Sequence, residues 1–364
     1  MPNVTDTNAT LSEETRQMLT GSLTTVVLPC IYLVVLAVGL PVHATALWVF
    51  LFKTKTRTAS NVYMVNLAAA DLLYVLFLPL QIAYHFRGND WPFGRPLCHV
   101  FTLLLYTNTH CSTFLLTCVS VDRYLAIVRP LQARHMHGAR RAALVTAGIW
   151  LLTLAMLSPI QSINLLNHVQ ELNITTCYDV FPKGKDVVTF FLIYCVVFVA
   201  VNFFVPVCIT VFCYVSIIRA LTKAKLGSCC DGRNNEDIRK GIQLSVVVLV
   251  TFVLCFAPNN CVLLAHALLH WTKKNSDLYG IYKLMLAFSS LNTCFDPIVF
   301  YFVSSEFQAR VLSALSCWWR PSTSSRPELL RGSSGTGRDD SELLQDAPGR
   351  GDQTGTSTTV SSPI

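Results

Sequence analysis

Charged residues are scarce in this sequence. Asp, Glu, Lys and Arg make up 13% of its 364 residues, whereas hydrophobic residues make up 52%. Soluble domains carry about 25% charged residues, and so few polar side chains cannot cover this much apolar surface in water. The net charge of +7 is modest and includes no block of basic residues. The composition therefore argues against a soluble enzyme, and no nucleic-acid partner is expected.

Several motifs of other protein classes are also missing. The sequence has no CxxC motif or histidine cluster that would indicate a structural metal. It has neither the internal repeat with paired broken helices that is typical of transporters nor a channel filter sequence. Asp71 and Asp296 resemble an aspartyl protease dyad, but the GxGD-type context of such enzymes is missing. We therefore do not expect a transporter, a channel or an enzyme.

Long apolar runs are what the sequence does have. Each is long enough to cross a bilayer core of about 30 Å as a helix, with some tilt. Prolines inside most of them are tolerated in membrane helices and predict kinks. The runs cover residues 24–52, 60–86, 97–121, 142–163, 187–218, 242–270 and 279–303. The predicted fold is an all-α membrane protein, a bundle of seven transmembrane helices spanning 24–303.

Basic residues set the expected orientation. They concentrate in the segments that follow the first, third and fifth runs, which predicts that these segments are cytoplasmic. The glycosylation sequons at Asn3, Asn8 and Asn173 all fall on the opposite side. The first twenty residues are polar, so we expect the first span to act as its own signal anchor. The prediction is a multi-pass plasma-membrane protein whose glycosylated N-terminus, residues 1–23, is extracellular.

The 14 cysteines fall mostly inside the apolar runs, where cysteine behaves as a small hydrophobic residue. Cys98, at the outer start of the third run, and Cys177, in the loop after the fourth, share the oxidising extracellular side. We predict that these two form a disulfide, which would fold the outer loop back over the mouth of the bundle.

Two carboxylates lie within the apolar runs. Asp71 and Asp296 would each cost about 3 kcal/mol in a membrane-spanning helix without partners. Asn108 and Ser112 share one helix face by their spacing, and so do Asn292 and Asp296. These five oxygen-bearing side chains can converge on a sodium ion. A polar network that only packs the helices remains the alternative.

The charged pair Asp122–Arg123, followed by Tyr124, lies at the predicted cytoplasmic end of the third span. An arginine at a span end can extend its charge into the interface at little cost, so an interfacial anchor is one interpretation. The intramembrane carboxylates favour a functional role instead.

The motifs, taken in order, resemble those of rhodopsin-like (class A) G-protein-coupled receptors. They are NLAAAD at 66–71, VDRYLAIV at 121–128, CFAP at 255–258 and DPIVF at 296–300. CFAP and DPIV are similar to the branch that holds purinoceptor-like, lysophospholipid and protease-activated receptors, with the purinoceptor-like receptors most similar. The resemblance covers residues 24–318.

The resemblance implies activation of a heterotrimeric G protein. It implies that Asp122 holds Arg123 at rest and releases it toward Tyr214, and that Phe256, beside the Pro258 kink, is a packing switch. The residues implied in activation are Asp122, Arg123, Tyr124, Tyr214, Phe256, Pro258, Asp296, Pro297 and Phe300.

Two departures from the family pattern bear on activation. His43 stands where the family carries Asn, and Phe300 where it carries Tyr, so Phe300 lacks the hydroxyl expected to face Tyr214. A weakly coupled or non-signalling scavenger receptor therefore remains an alternative.

The outer ends of the spans predict the ligand class. No Asp lies in the outer part of the third span, which argues against an amine ligand. Cations are interleaved with tyrosines there, a pattern that suits an anionic or amphiphilic molecule. The candidate ligand-binding residues are Tyr84, Arg87, Tyr106, Asn259, Asn260, His266, Tyr282 and Lys283. Nucleotide receptors of this branch use more basic residues, so an anionic lipid or isoprenoid-type conjugate ranks above a nucleotide.

A protease-activated type is a further alternative. The polar segment before the first span is short, with Arg16 its only basic residue, so a tethered agonist is not expected.

The C-terminal region predicts contacts with the inner leaflet and with arrestin. Residues 304–318 have the pattern of an amphipathic membrane-surface helix, with Cys317 a palmitoylation site. Residues 319–364 are rich in Ser, Thr, Gly and Pro and predict a disordered tail that recruits arrestin when phosphorylated.

Overall fold

The computed structural model describes residues 13–54, 58–132, 138–178, 185–227, 242–244, 246–272 and 278–318. The predicted glycosylation sites Asn3 and Asn8 and the predicted tail at 319–364 lie outside these residues.

Among the described residues, seven helical spans are long and apolar enough to cross a membrane, which confirms the predicted bundle. The third span continues to Val128, so Asp122 and Arg123 lie within its helix rather than after it. The spans are Leu23–Phe52, Ala59–Phe86, Gly94–Val128, Ala139–Ser162, Leu192–Lys223, Ile242–Leu269 and Gly280–Val303. We call the end of the bundle that carries Cys98 the outer end, and the opposite end, which carries Arg123, the inner end.

The helices within these spans are not all continuous. The first, fifth and sixth spans contain π-helical turns, and the seventh is divided at Ser290–Leu291. The α-helices of the described residues include Glu13–Thr20, Leu28–Phe52, Ala59–Phe86, Gly94–Val128, Ala139–Ser162, Lys185–Val199, Val205–Gly227, Ala257–Trp271, Leu278–Ser289, Asn292–Val303 and Ser305–Trp318.

Each π-helical turn ends two residues before a proline. The turns are Leu23–Val27, Ala200–Phe204 and Phe252–Phe256, and the prolines are Pro29, Pro206 and Pro258. A proline ring collides with the carbonyl four residues before it, and that carbonyl lies inside the turn in all three cases. The wider turn relieves the collision, so the sixth span changes its helical geometry at Phe256 itself.

Burial is inverted relative to a soluble protein. Asp71 and Asp296 are fully buried, whereas Leu144 and Leu151 are 73% and 69% exposed. Apolar side chains on the outside and carboxylates inside are what a bundle surrounded by lipid requires, because lipid cannot solvate a charge.

A β-hairpin covers part of the outer end. Its strands, Leu166–Val169 and Ile174–Cys177, pair antiparallel with Leu166 opposite Cys177. The predicted Cys98–Cys177 disulfide is present and ties the hairpin to the start of the third span. The Trp91 backbone N–H donates to the Thr175 carbonyl at 2.7 Å and adds a second attachment. Asn173, the remaining predicted glycosylation site, is exposed beside the hairpin turn.

A short helix, Glu13–Thr20, precedes the first span, where the sequence predicts only a polar N-terminus. Leu19 is buried. Its carbonyl accepts a 2.6 Å hydrogen bond from the Asn89 amide, and the Asn89 carbonyl oxygen is 2.7 Å from His85 Nδ1. His85 therefore belongs to a buried polar network that anchors the N-terminal helix.

Candidate functional site

Three tyrosines form a cluster at the outer end. The Tyr106 and Tyr282 hydroxyls, from the third and seventh spans, are 2.7 Å apart and buried. Tyr178 packs against Tyr106 with ring centroids 5.6 Å apart. We call Tyr106, Tyr178 and Tyr282 the tyrosine cluster. Because Tyr178 directly follows Cys177, the disulfide fixes its position above the bundle.

Lys283 provides the positive charge at this cluster. Its Nζ lies 5.3 Å from the centroid of the Tyr178 ring and donates to the Tyr178 carbonyl at 3.4 Å. The side chain is half-buried, and its charge lies near the cluster. Of the predicted ligand residues, Tyr106, Tyr282 and Lys283 are thus brought together.

A polar layer lies one helical turn deeper. His110 stacks on Tyr106 and meets the edge of Phe198, with ring centroids 6.2 and 4.5 Å apart. Within the described part of the chain, His110 Nε2 has no hydrogen-bond partner, and neither does Asn202 Oδ1. Neither His110 nor Asn202 was predicted to be a ligand-binding residue. The available signal was spacing, since His110 is four residues after Tyr106 and shares its helix face.

The other predicted ligand residues make different contacts. Tyr84 packs against Trp91 and His85, and Arg87 is exposed. Asn260 is buried and donates to the Phe256 carbonyl at 2.8 Å. Asn259 is also buried, and its side-chain oxygen lacks a partner among the described residues; His266 is half-buried.

The five predicted ion-site residues share one property. Each contributes one buried oxygen that accepts no hydrogen bond from the part of the chain that the structure describes. The oxygens are Asp71 Oδ2, Asn108 Oδ1, Ser112 Oγ, Asn292 Oδ1 and Asp296 Oδ1. Two side-chain amides orient the set. Asn108 Nδ2 donates to Asp71 Oδ1 at 2.6 Å, and Asn292 Nδ2 donates to Asp296 Oδ2 at 3.4 Å. Hard cations prefer such oxygens, so these residues fit a sodium ion.

Two further residues flank Asp71. The Thr293 hydroxyl donates to Asp71 Oδ1 at 3.0 Å. His43 Nε2 is 2.8 Å from the Thr293 carbonyl, which can only accept, so Nε2 carries a proton. His43 Nδ1 then faces Asp71 Oδ2 at 3.4 Å. His43 occupies the expected position beside Asp71, whereas Thr293 was missed although it neighbours Asn292.

The inner end holds the charged pair. Ser60 on the second span donates to Asp122 Oδ2 and accepts from Arg123 Nη2 at 3.2 Å, so its hydroxyl bridges the two residues. Arg123 Nη2 also donates to the Val303 carbonyl at 3.4 Å, at the end of the seventh span. This arginine therefore connects three spans. The sequence offered no signal for Ser60, because its role depends on how the second span packs against the third.

The remaining predicted activation residues pack nearby. The Tyr214 hydroxyl accepts from Ser120 at 2.9 Å, and Tyr124 packs against Phe212 with ring centroids 5.7 Å apart. Phe256 is fully buried in the π-helical turn before Pro258. Pro297 follows Asp296 inside the helix of the seventh span.

Phe300 belongs to an aromatic cluster rather than to an open polar space. Its ring is fully buried and contacts the rings of His43, Phe50 and Phe307 at centroid distances of 5.7, 5.6 and 5.8 Å. The residue that replaces the family's tyrosine thus packs the first and seventh spans and the Ser305–Trp318 helix together.

This seven-helix fold, with its disulfide-bound outer loop and its inner Asp122–Arg123 pair, defines a class of membrane receptor. The profile of the 7 transmembrane receptor (rhodopsin family) matches residues 43–300, more than half of the chain. The chain belongs to this family. It is therefore a multi-pass membrane receptor rather than an enzyme, and membership implies G-protein coupling and a small-molecule or peptide ligand.

Individual relatives are similar over most of their length. Proteinase-activated receptor 2 of Bos taurus is 40% identical over 310 residues, which cover 84% of this chain and 76% of that receptor. Proteinase-activated receptor 1 of Homo sapiens is 38% identical over 310 residues, which cover 85% of this chain and 71% of that receptor. The S-geranylgeranyl-glutathione receptor P2RY8 of Homo sapiens is 38% identical over 319 residues, which cover 87% of this chain and 86% of that receptor.

Proposed function

We propose that this chain is a plasma-membrane receptor, with its N-terminus outside, that binds an anionic amphiphile at the outer end and activates heterotrimeric G proteins. The observation that carries the proposal is Lys283 above the tyrosine cluster. A half-buried ammonium group beside buried aromatic rings can hold an anionic group and bury an attached apolar chain.

An anionic conjugate of an isoprenoid is the preferred ligand class. The relative that is named a receptor for S-geranylgeranyl-glutathione, which joins an isoprenoid chain to an anionic peptide, supports this class. The polar layer around His110 and Asn202 supports a ligand that also carries hydrogen-bonding groups, because these buried atoms otherwise stay unsatisfied.

A panel of ligands tests the proposal in cells that express the full chain and a G-protein dissociation sensor. The panel contains S-geranylgeranyl-glutathione, glutathione alone, a nucleoside diphosphate and a trypsin-like protease. The conjugate should activate and glutathione alone should not. A response to the protease alone would instead favour a protease-activated type, which the 40% identity to proteinase-activated receptor 2 makes the second candidate.

Replacing Lys283 by Gln should lower the potency of the conjugate about 10-fold or more. A hydrogen bond to a charged group contributes about 1.5–3 kcal/mol, and each 1.4 kcal/mol is a tenfold change in affinity. The measurement is a dose–response curve normalised to surface expression. Lys283→Arg should retain most of the potency, and Arg95→Gln, which removes an exposed cation at the same end, should leave it unchanged. Equal losses in Lys283→Gln and Arg95→Gln would contradict a specific role for Lys283.

We also propose that a sodium ion binds among Asp71, Asn108, Ser112, Asn292 and Asp296 as an allosteric ligand. These residues would hold the ion, and its charge would offset the two buried carboxylates. Their five unpartnered oxygens support the assignment.

Sodium should therefore stabilise the purified receptor. Exchanging KCl for NaCl at constant ionic strength should raise the melting temperature by about 2 °C or more, because a ligand that binds only the folded state stabilises it. Ser112→Ala should remove the difference, since it deletes one of the unpartnered oxygens. Thr117→Ala is the matched control, as it deletes a buried hydroxyl of the same span that already donates to the Thr113 carbonyl. The same sodium effect in Ser112→Ala would refute the site.

We also propose three kinds of covalent modification: glycosylation, palmitoylation and phosphorylation. Exposed Asn173, with Asn3 and Asn8, accepts glycans; Cys317 in the Ser305–Trp318 helix accepts a palmitoyl chain; and phosphorylated hydroxyls of the C-terminal tail recruit arrestin. The exposure of Asn173 at the end that we propose to be extracellular supports the first assignment.

A further inference from the structure

Two cations meet on one aromatic ring at the inner end of the first span. Lys53 Nζ lies 5.1 Å and the Arg310 guanidinium 5.5 Å from the centroid of the Trp48 ring. Trp48 is 44% exposed on the outside of the bundle. Lys53 caps the helix of the first span, whereas Arg310 comes from the Ser305–Trp318 helix. The three side chains therefore join two separate elements.

Packing beneath these residues holds the arrangement in place. Phe307 is buried and stacks on Phe50 with ring centroids 6.0 Å apart. Arg310 is three residues after Phe307 and thus lies near it on the surface of the same helix. The Phe50–Phe307 contact fixes this helix against the first span and positions Arg310 beside Trp48.

Lys53 and Arg310 form no ion pair with the acidic side chains that the structure describes, a set that does not include Glu306. Two like charges held at one ring repel each other, and a bound anion would remove the repulsion. Exposed apolar residues are close in sequence to the two cations: Phe52 is 73%, Leu51 54% and Leu312 52% exposed.

We propose that Trp48, Lys53 and Arg310 bind the headgroup of an anionic phospholipid, with its acyl chains against Phe52, Leu51 and Leu312. The combination of cations and exposed apolar side chains favours a lipid over a free anion, because a free anion would make no contact with the apolar side chains. In the orientation proposed above, this surface faces the cytoplasmic leaflet, where anionic lipids concentrate. The lipid would join the first span to the Ser305–Trp318 helix.

The test is native mass spectrometry of the full-length receptor released from nanodiscs of phosphatidylcholine with phosphatidylserine. The wild type should retain phosphatidylserine in preference to phosphatidylcholine. The double variant Lys53→Gln/Arg310→Gln should retain several-fold less. The matched control Arg140→Gln/Arg219→Gln, which removes two exposed cations on the same side, should behave as the wild type. Added inorganic phosphate should not displace the lipid, whereas displacement would show a site for free anions.

Equal retention by the wild type and the double variant, or an equal loss in the control pair, would overturn the proposal. Thermal unfolding in phosphatidylcholine alone checks that each variant folds. If the double variant does not fold, the single variant Lys53→Gln, which alters one exposed side chain, takes its place. It should show a smaller loss of phosphatidylserine than is expected for the double variant. Nanodiscs present both leaflets alike and need no agonist, so this result is independent of receptor orientation and of the proposed ligand.

Discussion

Replacing Arg123 by Ala is expected to reduce G-protein activation to background while leaving surface expression largely unchanged. Arg123 is half-buried and donates to Ser60 and to the Val303 carbonyl, so it links the second, third and seventh spans at the inner end. Removing it deletes the group that, by the family resemblance, Asp122 holds at rest and releases toward Tyr214 on activation. G-protein dissociation in cells, with and without S-geranylgeranyl-glutathione, and surface labelling of the same cells measure the two quantities.

Ser60→Ala provides the comparison for Arg123→Ala. The Ser60 hydroxyl restrains Arg123 by bridging it to Asp122, so its loss should free the arginine and raise basal activation about 10-fold or more. This effect has the magnitude of one hydrogen bond to a charged group, about 1.5–3 kcal/mol. Normal signalling by Arg123→Ala would show that the pair is only an interfacial anchor.

Replacing either Cys98 or Cys177 by Ser should strongly reduce delivery of the receptor to the cell surface. The disulfide closes a sequence separation of 79 residues, which in the chain-entropy model stabilises the fold by about 4 kcal/mol. It also holds Tyr178 over the bundle, so surviving molecules should lose ligand potency. Flow cytometry of surface and total receptor is the measurement.

The double variant tests the pairing. Cys98→Ser/Cys177→Ser should be no worse than either single variant, because one bond is lost in each case. Cys30→Ser, which changes an exposed cysteine of the first span, is the control and should be delivered normally. Clearly additive losses would mean that the two cysteines act separately.

The seven spans and the disulfide were predictable because the membrane imposes them. A bilayer fixes the length of an apolar helix, and only Cys98 and Cys177 fell on the predicted outer side. The five residues of the proposed ion site were also available from spacing alone, since two i, i+4 pairs and Asp71 are polar residues in apolar runs. Each of those five residues proved to carry an unpartnered oxygen.

The features that the sequence did not predict depend on contacts between distant elements. The hairpin at 166–177 is attached to the bundle through the disulfide, and the helix Glu13–Thr20 through Asn89. Both elements are short, and local sequence patterns do not predict these long-range contacts. The roles of Ser60 and Thr293 follow from their hydrogen bonds with Arg123 and Asp71, which form only when the spans pack together.

The packing of Phe300 could not be predicted from the absence of a tyrosine hydroxyl at this position. The sequence shows that a hydroxyl is absent, and from that alone we expect weaker coupling. The structure shows what replaces it, a contact with His43, Phe50 and Phe307 that packs two spans and the adjoining helix.

Nucleotide exchange with purified components measures whether this receptor activates G proteins when it binds the proposed ligand. Wild-type receptor in nanodiscs, mixed with purified heterotrimers of each main G-protein class, should accelerate GTP loading of at least one class when S-geranylgeranyl-glutathione is added. The acceleration should disappear in Arg123→Ala. Lys283-dependent binding of the conjugate without acceleration of any class would contradict the account, and would identify this protein as a receptor that captures its ligand without signalling.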